Sequence, residues 1–147
     1  MFVKSNFVLM YNNLNRIIKE LSDAGMPDVE PNVNSYSILI ETYAKMNCVE
    51  GAIHAEHLVD EMQQNNLMPD KVTITSVMKA WCRSGDENAA FKVEAILNNM
   101  LENYDKNKSL KPDRICFKTV IDSFRRKGGR ESFAKAKKIE KMMKALT

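Results

Sequence analysis

Glycine and proline are scarce in this chain of 147 residues, five of one and four of the other. An all-β fold needs such turn residues about every ten positions, so that class is excluded. Cysteine is equally sparse. Cys48, Cys82 and Cys116 make an odd set with no secretory leader before them, which argues for reduced thiols inside a cell. The two gaps between them are each 34 residues, yet the three occupy different places in the repeat described below and form no ladder. The only histidines, His54 and His57, sit in HAEH, which is not the H-E-x-x-H pattern and has no nearby cysteine pair, so no metal is expected. There is no nucleophile elbow, no phosphate loop and no deaminase signature, so neither an enzyme, a cofactor nor a small-molecule substrate is expected. No apolar run approaches the roughly 18 residues of a membrane span, and no membrane partner is expected.

What is present favours helices. Hydrophobic residues make up 44% of the chain, and methionine occurs ten times. Charge is unevenly spread. Residues 1–110 carry 10 Lys/Arg against 15 Asp/Glu, and residues 111–147 carry 12 against 4, a local net of +8. A basic C-terminal quarter fits an acidic partner such as nucleic acid, or a solvated lysine-rich helix face. The first 19 residues have no acids and contain Lys4, Arg16 and Lys19, the composition of an organellar leader. They hold a single serine and read better as folded helix.

One pattern recurs three times. Tyr36, Leu39, Ile40 and Tyr43 follow the i, i+3, i+4, i+7 spacing of an amphipathic helix, as do Ile74, Val77, Met78 and Trp81, and Phe117, Val120, Ile121 and Phe124. Eleven residues after each first anchor stands a residue that tolerates the left-handed conformation, Asn47, Gly85 or Gly128, and basic residues precede it. A second apolar stripe follows: Ala52, Ala55, Leu58, Val59 and Met62; then Ala90, Val93, Ile96, Leu97 and Met100; then Phe133, Ala136, Ile139 and Met143. First anchor and closing methionine lie 26 residues apart in all three copies, with no gap. A proline followed by Asn32, Asp70 or Asp113 precedes each copy, and the spacing between prolines is 38 and then 43 residues. The surplus falls in LENYDKNKSLKP, a polar stretch that extends a helix and then forms a surface loop.

The expected fold is all-α, an α-solenoid of helical hairpins, because one hairpin alone cannot cover its apolar face. Residues 1–30 are expected to hold the second helix of an incomplete repeat, with Leu14, Ile17, Ile18 and Leu21 as its apolar face. Residues 31–147 are expected to hold three hairpins, about 33–70, 71–113 and 114–147. A half-repeat at one end and an unclosed repeat at the other are what a piece of a longer repeat protein would show.

The stretches VNSYSILIETYAKMN, KVTITSVMKAWCRSGD and RICFKTVIDSFRRKGG, each preceded by Pro-Asn or Pro-Asp, resemble the pentatricopeptide repeat. The resemblance covers 31–147. The W-x₂-L-G-x₂-Y pattern of the tetratricopeptide repeat is absent. The repeats here are longer than the roughly 35 residues usual in the family, and fewer than its RNA-reading members carry.

The resemblance implies a right-handed superhelix that presents single-stranded RNA with one base per repeat. Base-reading residues carried over from the family are Ser37 with Asp70, Thr75 with Asp113, and Lys118, with Asn32 closing the incomplete first unit. Base-flanking positions are Asn34, Val72 and Ile115, of which Asn34 is a poor apolar wedge. Lys118 departs from the small polar pattern and suits a phosphate better than a base. Under the family's base code both complete pairs resemble guanine-preferring ones, read 5′ to 3′ along the repeats. Helix capping by Asp70 and Asp113 is the competing role for those carboxylates. Arg125, Arg126, Lys127, Arg130, Lys137 and Lys141 are candidates for phosphates, or for the polar cap of a terminal repeat. Action in RNA processing, stability or translation in a mitochondrion or plastid is the implied role. A protein-interaction scaffold without RNA specificity is the alternative, favoured by the acidic first 110 residues.

Overall fold

A computed structural model describes residues 31–147, together with Leu9, Asn12, Arg16, Glu20, Asp23 and Ala24. The half-repeat expected in 1–30, with its face of Leu14, Ile17, Ile18 and Leu21, lies outside the described residues.

Between residues 31 and 147 six α-helices run in chain order: α1 Val33–Ala44, α2 Val49–Gln64, α3 Lys71–Arg83, α4 Ala89–Asn103, α5 Arg114–Lys127 and α6 Arg130–Leu146. Each first helix begins at a residue whose side chain takes over an unsatisfied N–H. Asn32 accepts from the Ser35 amide at 3.0 Å, Asp70 from Thr73 at 2.8 Å, and Asp113 from Cys116 at 3.1 Å and Ile115 at 3.0 Å. Each first helix is followed by a residue of positive φ at the expected place: Asn47 at 51°, Gly85 at 78° and Gly128 at 72°. The second helix then starts within a few residues, which makes the hairpin tight. The polar stretch after α4 forms turns and a short 3₁₀ helix, Lys108–Leu110, with Asn107 accepting from the Ser109 amide at 3.1 Å.

The six helices form two layers. The first helices α1, α3 and α5 stack directly on one another, while each second helix packs on its own first helix, and α2 and α4 also pack on the next one. The chain is therefore an all-α solenoid whose first-helix layer is the more closely packed. The core is one continuous cluster from Tyr36 to Met143. Its largest side chains, Trp81, Phe117 and Phe124, are fully buried, and each such residue contributes about 1.5–3 kcal/mol through removal from water. The closing methionines Met62, Met100 and Met143 are all buried. Ile74 is only partly buried.

Two details were not legible in the pattern. Phe133, expected in the third core stripe, is 54% exposed; among the described residues α6 packs chiefly on α5, with Ser132, Ala136, Ile139 and Met143 buried. Gly51 is buried where α2 meets the end of α1. A Cβ there would lie 2.6 Å from the Tyr43 carbonyl oxygen and 3.0 Å from the Met46 Cβ. No helix among the described residues is long and apolar enough to cross a membrane.

Candidate functional site

The stacked first helices carry a repeated polar seam. It starts from the helix caps, because the residue three positions after each cap faces the preceding first helix. In the first seam, the buried Thr73 hydroxyl donates to Asp70 Oδ1 at 2.8 Å and lies 2.9 Å from the Ser37 hydroxyl of α1. A carboxylate only accepts, so the Thr73 proton is committed to Asp70 and the Ser37 proton must go to Thr73. Ser37 is left with acceptor lone pairs on its outer side. Ser37 and Asp70, paired in sequence, are thus brought to the two sides of one hydroxyl rather than into direct contact.

The second seam repeats this with other atoms. Cys116 replaces Thr73. Its amide binds Asp113 Oδ1, and its Sγ lies 3.6 Å from the Thr75 hydroxyl of α3. Thr75 donates its own proton to the Lys71 carbonyl at 2.7 Å. Its oxygen therefore also offers only lone pairs, in a buried position beside the Cys116 thiol. Burial pushes the Cys116 thiol up, beyond what its hydrogen bonds offset, which keeps the S–H proton in place. Burial pushes the Asp113 carboxyl up as well. The Cys116 amide, the Lys71 ammonium and the Cys116 thiol together outweigh it, so Asp113 lies below the usual carboxylate range.

Around the seams, apolar side chains stand in water with nothing packed on them to justify it. Val72 is 66% exposed and Ile115 52%, one before each of the last two seams. Asn34 is exposed at the equivalent place on α1, but Ile38, one turn further along, is 65% exposed. Sequence reasoning passed over Ile38, because an i+2 residue beside a core anchor reads as an ordinary surface position. It also passed over Thr73 and Lys71, which are neither anchors nor positions of the base code.

Lys118 is exposed on α5, and Ile115, Lys118, Asp122 and Arg125 follow one another at helical spacing along its outer face. Arg126 and Lys127 instead reach back to the preceding hairpin. Arg126 Nη1 donates to the Cys82 carbonyl at 3.2 Å, and Lys127 Nζ to the Glu87 carbonyl at 2.8 Å. Arg125, Arg130, Lys137 and Lys141 are exposed. Lys137 and Lys141 belong to α6, in the second layer, away from the seams, whereas Lys118 and Arg125 are on a first helix. Asn32 caps α1 and also accepts from the Ser35 hydroxyl at 3.2 Å. Among the described residues no group of three His, Cys, Asp or Glu side chains is placed to hold a metal ion.

Comparison with known proteins points to a repeat family. A sequence model of the PPR repeat family matches residues 31–83. A chloroplastic pentatricopeptide repeat-containing protein of Arabidopsis thaliana is 26% identical over 113 residues, which is 76% of this chain and 13% of that protein. The chain thus spans a small fraction of the length of the relative it matches.

Proposed function

We propose that this chain, which belongs to the pentatricopeptide repeat family, binds single-stranded RNA along its first-helix layer and prefers guanine at two consecutive nucleotides. The observation that carries this reading is the direction of the protons. Ser37 and Thr75 both spend their protons within the protein and keep only acceptor lone pairs; Ser37 is half-buried and Thr75 buried, and each belongs to a seam that also holds a carboxylate, itself an acceptor. Guanine offers two donors, N1–H and the N2 amino group, on one edge. Adenine, cytosine and uracil each offer an acceptor there, which an all-acceptor site leaves facing a lone pair. Exposed Val72 and Ile115 are placed to cover the faces of the base between them. Capping of α3 and α5 by Asp70 and Asp113 is compatible with this, because the caps use Oδ1 in both cases.

In this reading Ser37 with Asp70 takes the first nucleotide and Thr75 with Asp113 the second, 5′ to 3′. Asn32 closes the incomplete unit before them, with Asn34 at its flank. Lys118 and Arg125 meet phosphates on the reading face. Arg126, Lys127 and Arg130 add positive potential at the turn end, and Lys137 and Lys141 at the outer layer. The biological setting we infer is RNA processing, stability or translation in a plastid or mitochondrion, in line with the chloroplastic relative. The chain acts as a binding protein rather than an enzyme.

Thr75→Asn tests the reading. An asparagine amide adds a donor beside the acceptors, so the preferred dinucleotide should change from GG to GU in a filter-binding or anisotropy assay. An unchanged order of bases would rule out the assignment. The scaffold alternative has one observation in its favour, an apolar groove of about 450 Å³ between α2 and α4, floored by Ile74 and Val77 of α3. Absence of binding to both G-rich and U-rich strands at low salt would decide for that alternative.

A further inference from the structure

The two proposed reading units differ in the surroundings of their carboxylates. In the first, Asp70 Oδ1 holds the Thr73 amide and hydroxyl, and Oδ2 has no partner among the described residues. In the second, Asp113 Oδ1 holds two amides, and Oδ2 lies 3.2 Å from the Lys71 ammonium. The residue equivalent to Lys71 in the first repeat is Val33, which has no charge to offer. Lys71 touches both members of the second unit, since its carbonyl also holds the Thr75 proton.

We propose that Lys71 is a positioning residue that weakens base discrimination in the second unit, by occupying the Asp113 oxygen that the guanine amino group would otherwise use. The inference rests on the RNA-reading proposal above. A carboxylate oxygen accepts about two hydrogen bonds. A base donor at Asp113 must therefore share Oδ2 with an ammonium or displace it, whereas Asp70 offers Oδ2 vacant. The Lys71–Asp113 pair is partly exposed, with side chains 39% and 37% accessible, so its hold is that of a surface ion pair. Displacing it costs up to about fivefold in affinity. The first unit therefore reads guanine more strictly than the second.

The test measures anisotropy of the full chain with three labelled RNAs: an adenine tract, the same tract with one guanine, and the same tract with two adjacent guanines. A single guanine settles in the stricter unit, so the gain from the first guanine reports unit one and the further gain from the second reports unit two. The expected result is a second gain smaller than the first by up to about fivefold. Lys71→Met should enlarge the second gain and leave the first unchanged, and Lys71→Arg, which keeps the ion pair, should behave as the native chain. Unequal gains that Lys71→Met does not alter, or a second gain that Lys71→Met diminishes, overturn the inference and leave guanine reading standing. Equal gains in the native chain do the same. No gain from either guanine removes the reading and the inference together.

Discussion

Thr73→Val is the substitution that most directly examines the seam. Valine has nearly the shape of threonine, so the change removes a hydroxyl from a fully buried site without opening a cavity. Two hydrogen bonds are lost, one to a carboxylate at 2.8 Å and one to Ser37 at 2.9 Å. A bond to a charged acceptor contributes about 1.5–3 kcal/mol and a neutral one about 1 kcal/mol. Asp70 and Ser37 are only half-buried, so water recovers part of this, and Asp70 keeps the backbone N–H it caps. A loss of about 2 kcal/mol is expected. For a chain of this length that is a fall of roughly 4–8 °C in melting temperature, read by circular dichroism. The substitution has a second consequence. Ser37 regains a mobile proton and can donate to adenine N1, so the preference for guanine over adenine at the first nucleotide should fall about fivefold. Thr73→Ser keeps the hydroxyl and should retain that preference despite some loss of stability. A Thr73→Val protein with native melting temperature and native base preference would refute the proton relay.

Other outcomes follow from the same structure. Gly51→Ala forces a Cβ to within 2.6 Å of the Tyr43 carbonyl oxygen, and should cost about 1–3 kcal/mol of stability, less the roughly 1 kcal/mol that alanine gains in a helix; a urea midpoint at or above the native one would contradict this. Asp113 has a folded pKa below its unfolded one, so its contribution is present above the unfolded value and is lost as the pH falls through the folded value. Lys71→Met removes the Lys71 share of that lowering and leaves the Cys116 contacts, so Asp113 should titrate at higher pH by NMR and acid unfolding should begin earlier; an unmoved titration would show that the ion pair does not persist in solution. If Lys118 and Arg125 each meet a phosphate, replacing either with alanine should reduce the slope of log affinity against log salt by about 0.7, without altering base preference.

The sequence carried the all-helical fold of residues 31–147, for local reasons. Helical periodicity, the proline-acid start and the left-handed stop each depend on a few consecutive residues, which is why Asn47, Gly85 and Gly128 stand where the pattern put them. The pairing of Ser37 with Asp70 and of Thr75 with Asp113 came from the family resemblance. It did not show that Phe133 would face solvent, because that depends on which helix packs against α6. Nor did it show that Arg126 and Lys127 reach the preceding hairpin, because their partners are backbone carbonyls about 40 residues away, which leave no mark in composition.

The division is sharpest at the polar seams between the first helices. Sequence alone determined which residues occupy equivalent places, since equivalence is a matter of counting along the chain. Tertiary structure decided what those residues can donate or accept. The direction of the Ser37 proton depends on Thr73, 36 positions on, and the state of Asp113 depends on Lys71, 42 positions back. Those contacts exist only because α1, α3 and α5 stack at a fixed offset. Two units that look the same in sequence thereby become chemically different.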